Sequence, residues 1–505
     1  MRVTVCRVSA FLPLLALLLP SAARADVTGR VAYESVPSTT SGLNYALTTA
    51  RPVRGARVLL VDATASSTLA ETATDGNGAF SLPAAGGQAK LVIVAQTVDP
   101  PIVVKDNTDS DQIWAVETAA FSGSQQFDLT IPSGWTGGGY DAASRLSAPF
   151  AILDAMWEAA QAFRAVRSVA FPQLLVNWSP DNRSESGDKA AGQITTSHWD
   201  GQQLYILGKE NVDTDEFDSH VIVHEWGHYF ESFLSRSDSV GGSHGSGDLL
   251  DMRVAFGEGW GNAVSAMALY PDSVYTDTLG SGQSRGFGFD LEDNGGDPRP
   301  GWFSEASIQS ILYDIFDPND DGVDHVSLGL GPIYDALAGP QRSTPALTSI
   351  FSFAWALGQV DPGSVGGVDQ LLMQHSIMPV RDPFGDDETN DAGYPDNLPI
   401  YRLADIGGAP VTLTLHGEQD WNWVGQNRFV AVIGNGSSVT ATATTNQDVS
   451  LTAVANGNVL DYSDRFYSGT ETVQFTTASG GLYILAIGGF PAGGAYTCTV
   501  QVTAP

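Results

Sequence analysis

The spacing of hydrophobic and polar positions changes twice along the chain. From residue 26 to about 132 it is that of strands. Val27-Thr28-Gly29-Arg30-Val31 alternates, and Ala56–Val61 and Lys90–Ala95 are mainly apolar runs of strand length. Between those runs Thr74–Leu82 (TDGNGAFSL) is a Gly-rich turn leading into a further strand. After a second Gly-rich stretch, Ser133–Tyr140 (SGWTGGGY), the pattern becomes mixed. Ala148–Val166 has helical spacing, Leu174–Trp178 and Gln203–Leu207 read as strands, and Asp218–Leu234 returns to helical spacing. The polar, Asp-rich segment Arg381–Asp396 closes this section, and Val411–Leu415, Arg428–Ile433 and Gly481–Ile487 are strands again. The pattern predicts a multidomain chain: an α/β (α+β) domain over 141–380 flanked by β-sandwich domains over 26–132 and 397–505.

Residues 1–25 read as a signal peptide. Arg2 and Arg7 precede the apolar run Phe11–Pro20, and Ala23-Arg24-Ala25 supplies the small residues of a cleavage site before Asp26. That run is too short for a permanent span, and no later segment looks like one, so a secreted or periplasmic protein is expected. Cleavage near Ala25 removes three arginines and no acid. It leaves 21 Lys+Arg against 57 Asp+Glu and takes the net charge from −33 to −36. Such acidity argues against nucleic acid or an anionic membrane surface as a partner. Cys6 leaves with the leader, so Cys498 has no partner for an intrachain disulfide.

The chemistry concentrates in His224-Glu225-Trp226-Gly227-His228. Ile222, Trp226, Tyr229, Phe230 and Phe233 recur at helical spacing around it, with Asp218 or Ser219 as the expected N-cap. One helical turn apart, His224 and His228 project from one face and can bind one metal ion. Glu225 lies beside that face, placed to take a proton from water at the metal rather than to ligate it. Tyr205-Ile206-Leu207, shortly before the helix, is the expected edge strand for an extended substrate. A third protein ligand is needed, with a fourth position left open. A metzincin would have Gly at 231 and His at 234; Glu231 and Leu234 exclude that class. The run Ala255-Phe256-Gly257-Glu258-Gly259-Trp260-Gly261-Asn262 is the better place to look for it, and His244 in a Gly-rich loop is a rival. Gly257, Gly259 and Gly261 would let this second helix come close to the first.

This constellation resembles the gluzincins, and the Gly-Glu-Gly-Trp run is similar to that of fungalysin-type peptidases. The resemblance implies a zincin-like domain, zinc held by His224, His228 and Glu258, Glu225 as general base, and protein or peptide as substrate. Where related enzymes often carry Asp one turn after the ligand Glu, this chain has Asn262, which can accept an imidazole N–H without the charge. Gly29-Arg30-Val31, Val53–Val58 and the TDGNGAFSL run resemble a carboxypeptidase-regulatory-like, transthyretin-like sandwich. The Gly-rich ending, Gly480–Tyr483 with Gly494–Val500, resembles the jelly-roll (pre-peptidase C-terminal-like) domain behind many secreted peptidases.

Other roles stay open on sequence. Tyr229, Tyr313 and His325 are candidate oxyanion donors, and His220 is expected to face solvent or the helix cap. Trp302–Phe316 is a helix capped by Ser304, with Glu305 and Tyr313 expected near the cleft. Asp317–Asp324 opens like a calcium loop but has Leu328 at the twelfth position, so a polar turn and a structural calcium site fit it equally. Two rivals accompany the peptidase reading: a surface-binding protein with a vestigial metal site, and a peptidase directed at glycoproteins. The presence of Glu225, which a purely structural zinc site does not need, favours an enzyme.

Overall fold

The strand Asp26–Ser35 buries Val27, Val31 and Tyr33, as its alternation requires. It pairs in parallel with Gln125–Ile131 and antiparallel with Thr49–Pro52 and Ala79–Pro83, making a four-stranded sheet. The structure is a computed structural model that describes residues 4–5 and 26–504, except 246, 293–295, 319–324, 419 and 467–468. The expected leader over 1–25 thus lies outside the described residues apart from Thr4–Val5, and the Asp317–Asp324 loop falls mostly outside them. Among the described residues the protein is β-rich, with several sandwich-like sheets and seven α-helices: α1 (Ala148–Val166), α2 (Ser219–Leu234), α3 (Met252–Leu269), α4 (Glu305–Phe316), α5 (Leu330–Ala336), α6 (Ile350–Val360) and α7 (Val365–Gln374). None of them is long and apolar enough to cross a membrane.

The chain forms two compact units, Met1–Tyr229 with Ala268–Asp290, and Phe230–Met267 with Leu291–Pro505. Both α2 and α3 contribute residues to each unit.

In the first unit the large sheet does not stop at the expected boundary near 132. Ala56–Asp62 pairs with Thr68–Ala73 and with Ala85–Thr97, which pairs with Ala115–Glu117. Ala85–Thr97 also meets Ile102–Asp106, and that strand runs parallel to Leu174–Trp178, with Val104 opposite Val176. Leu204–Ile206 follows in parallel, and His198–Trp199 ends the sheet in antiparallel register. Two expectations are corrected here. The strand at 204–206 is internal, and His198–Trp199 is the edge. The section over 26–132 is not a self-contained sandwich, because a parallel pairing leaves no local sequence signal and carries its sheet into the next section. Side chains reinforce the join. Arg54 grips Asp154 of α1 through Nε–Oδ1 (2.5 Å) and Nη2–Oδ2 (2.8 Å), and the Tyr33 hydroxyl donates to the same carboxylate at 2.9 Å.

The second unit ends in a sandwich of two sheets. One has the order Tyr401–Ala404, Asn427–Ile433, Leu482–Gly489, Val449–Ala455, Asn458–Ser463; the other runs Val411–His416, Ala495–Thr503, Ser438–Thr444, Thr470–Thr476. Leu413, Leu415, Val430, Leu451, Leu485 and Ile487 fill one core between them, and Cys498 is buried among them as a small apolar side chain.

Candidate metal centre

Helix α2 is held by the aromatic face that its spacing predicts. Trp226 is buried, with its ring 5.6 Å from those of Phe163 and Phe171 and 6.1 Å from that of Tyr229. Asp218 precedes the first turn, and its carbonyl accepts from the Ile222 N–H at 3.0 Å. Its side chain turns elsewhere, accepting from the Thr278 N–H (3.0 Å) and hydroxyl (2.8 Å). His220 is buried rather than facing solvent, 3.8 Å from Asp272 and beside the Tyr275 ring.

On this helix the Nε2 atoms of His224 and His228 stand 3.2 Å apart, with the rings at 81° to one another. Two imidazoles on one tetrahedral zinc, with bonds of 2.0–2.1 Å, would hold their nitrogens about 3.3 Å apart. His224, His228 and Glu258 of α3, the last 8% exposed, each offer a ligand atom, and these atoms lie within 4.8 Å of one another, a group that could hold one ion. Two ring nitrogens and one carboxylate oxygen fit zinc.

Glu258 has neighbours that sequence did not assign. His244, weighed as a rival ligand, has Nε2 3.2 Å from Glu258 Oε2 and Nδ1 2.8 Å from Glu305 Oε2. Asn262 Nδ2 donates to Glu305 Oε1 (2.7 Å) and to Gln309 Oε1 (2.8 Å). The chain His244–Glu305–Asn262 therefore buttresses the carboxylate side of the cluster. Ser304 caps α4 as expected, accepting from the Ser307 N–H, and this places Glu305 at the helix start. Gly259 acts differently from expectation. A Cβ at Gly259 would fall 2.6 Å from Cβ of Ile308, so this position admits α4 rather than α2. At Gly257 a Cβ would meet Glu231 of α2 at an ordinary 3.5 Å.

Glu225 is 8% exposed, and its Oε2 accepts from the Trp199 N–H at 2.9 Å. The edge strand thus presents a backbone donor to the carboxylate beside the histidine pair. His198 stacks on Tyr205 within the same pair of strands, at 5.3 Å and 12°. Of the candidate oxyanion donors, Tyr229 gives its hydroxyl to the Pro172 carbonyl at 2.6 Å, Tyr313 is buried in α4, and His325 is exposed. Tyr275, whose ring centroid is 6.3 Å from that of His224, is a neighbour that no motif in the sequence singles out.

No protein-family model matches the chain, and no curated protein matches it. Solved structures are similar over parts of it. The pre-peptidase C-terminal domain of a collagenase from Bacillus anthracis matches at 11% identity and TM-score 0.17, over 20% of this chain and 93% of that one. The surface-associated copper-binding protein CorA of Methylomicrobium album BG8 matches at 13% identity and TM-score 0.16, over 21% of this chain and 100% of that one. Likenesses this faint carry no argument about fold or activity.

Proposed function

We propose that the chain is a secreted zinc-dependent peptidase of gluzincin type, with His224, His228 and Glu258 as metal ligands and Glu225 as general base. The observation that carries this reading is the position of Glu225: next in sequence to one ligand, on the same helix as both histidines, and hydrogen-bonded to the edge strand. When bound, zinc supplies Lewis acidity toward a water and a carbonyl oxygen. Glu225 takes a proton from the attacking water as its oxygen bonds to the scissile carbon. It then delivers that proton to the leaving amine as the C–N bond breaks. The Trp199 N–H holds the carboxylate in place for both transfers. The strand edge at His198–Trp199 offers main-chain groups along which an extended peptide can align by strand addition. His244, in contact with Glu258 and Glu305, orients the ligand carboxylate.

Glu225→Gln keeps the shape and the Trp199 contact while removing the base. With zinc supplied, it should retain the metal and lose about 10²–10⁴-fold in hydrolysis of casein or a peptide library. A wild-type protein that holds zinc yet cleaves no member of a broad library would favour the binding-protein reading. Failure to bind zinc at all would remove the proposal.

A further inference from the structure

Just before the metal helix the chain runs Asp213-Thr214-Asp215-Glu216-Phe217-Asp218, four acids in six residues. Asp213 lies in a short strand that pairs with Val274–Leu279, opposite Leu279. Continuing that antiparallel register brings residue 215 level with residue 277, and sets Asp213 and Asp277 on the same face. The side chains meet accordingly. Asp213, Asp215 and Asp277 each bring a carboxylate oxygen, all within 4.8 Å of one another.

Three carboxylates so close repel strongly unless a cation or protons intervene. The surroundings supply little relief. Asp215 is 3% exposed; one oxygen accepts from the Ser197 hydroxyl, and Oδ1 has no partner. Asp218 is fully buried and spends Oδ2 on Thr278. Its Oδ1 is also without a partner, and Asp277 is the charge that acts most strongly on it. Asp213 Oδ1 and Asp277 Oδ1 are unpartnered as well, as is the hydroxyl of buried Thr214. Buried polar atoms are ordinarily satisfied, and each exception asks for an explanation. Glu216 does not provide it: this acid is ion-paired with Arg145, which neutralises Glu216 and leaves the aspartates without a cation of their own. The buried carboxyls titrate upward, from burial first and mutual repulsion second.

We infer that Asp213, Asp215 and Asp277 form a calcium site beside the start of α2, with the free oxygen of Asp218 next to it. The donor set is oxygen only, which selects a hard cation over zinc. Oxygens within 4.8 Å of one another can meet on one ion, and a cluster made of protein carboxylates suits calcium better than magnesium, which keeps several of its own waters. Such an ion would tie Val274–Leu279 to the segment leading into α2, fixing the start of the helix that carries His224, Glu225 and His228. It is separate from the Asp317–Asp324 loop considered on sequence, and it does not depend on the peptidase reading.

The test uses the full chain, stripped of metal, re-supplied with zinc alone and then titrated with calcium chloride by calorimetry and thermal unfolding. The expected result is about one calcium per chain and a midpoint raised by several degrees. In Asp277→Asn, calcium affinity should fall at least tenfold, and the calcium-free variant should melt at or above calcium-free wild type because one repelling charge is gone. Asp213→Asn gives the same comparison if the first variant does not fold. Wild type indifferent to calcium up to about 10 mM, or variants that bind calcium as wild type does, would overturn the assignment.

Discussion

The chain gathers two sets of side chains that could hold a cation, by opposite routes. His224 and His228 come from one turn of one helix, so their spacing in sequence already is their spacing in space. Asp213 and Asp215 come from a short strand and the residue just past it, and Asp277 from the partner strand after α3, brought together by the opposition of Asp213 to Leu279. The first set is mostly nitrogen and suits a metal that activates water. The second is all oxygen and suits an ion that cancels charge. A helix can carry a legible site because its geometry is local. A sheet assembles one from distant residues, and its mark is energetic: carboxylate oxygens left without donors.

The strongest way to break this contrast is to disable one set and ask whether the other survives. Glu258→Gln replaces the only carboxylate among the proposed zinc ligands. Zinc affinity should fall by at least 10–100-fold, and hydrolysis should fall with it at limiting zinc. Calcium stoichiometry and the calcium-dependent rise in melting temperature should remain. Parallel loss of both metals in a folded variant would show that the two sets are one coupled structure.

Legibility follows the same division. The metal helix, its buried aromatic face and the Ser304 cap were readable because each depends on residues within a few positions of one another. Glu258 came from a resemblance, and its placement beside His244 and Glu305 could not be read, since those contacts join a loop, α3 and the start of α4. The edge is the strand just before the expected one in the chain. His198–Trp199 is only two residues long and has no periodicity, yet it supplies the N–H that meets Glu225. The boundary near 132 misled for a related reason. Composition marks the Gly-rich segment, whereas the pairing of Ile102–Asp106 with Leu174–Trp178 passes across it. The sandwich at the end of the chain was legible as β structure from its strands alone.

A smaller effect sharpens the contrast through pH. Burial and repulsion raise Asp213 to about 7, and burial raises Asp277 to about 6, with Asp215, Asp218 and Glu216 the other acids facing them. Carboxyls whose folded pKa lies above the unfolded value hold more protons when folded. Their contribution is therefore largest below about 4 and is lost as pH rises through 6 to 7. Without calcium, stability measured by denaturant should decline across that window, by about 1–3 kcal/mol given the solvent that reaches Asp213 and Asp277. Saturating calcium should remove the decline, because the ion takes the place of the protons. A calcium-free slope that calcium leaves unchanged would assign the decline to other groups.

The smallest expected effect tests whether family pattern or local contacts govern the nitrogen-rich site. By the gluzincin resemblance alone, Asn262→Asp adds a charge that those enzymes often carry and should strengthen the proposed metal site. The structure gives the opposite sign. Asn262 is 3% exposed, and its amide N–H groups donate to Glu305 and Gln309. An aspartate has no donor to offer and sets a second carboxylate against Glu305, which also engages His244. The variant should lose about 1–3 kcal/mol of stability in zinc-loaded thermal unfolding, with little gain in zinc affinity. Glu305→Gln in the same background should recover part of the loss by removing the repelling charge. If Asn262→Asp is instead as stable as wild type and binds zinc more tightly, the contact to Glu305 is dispensable, and the pattern outweighs the local bonds.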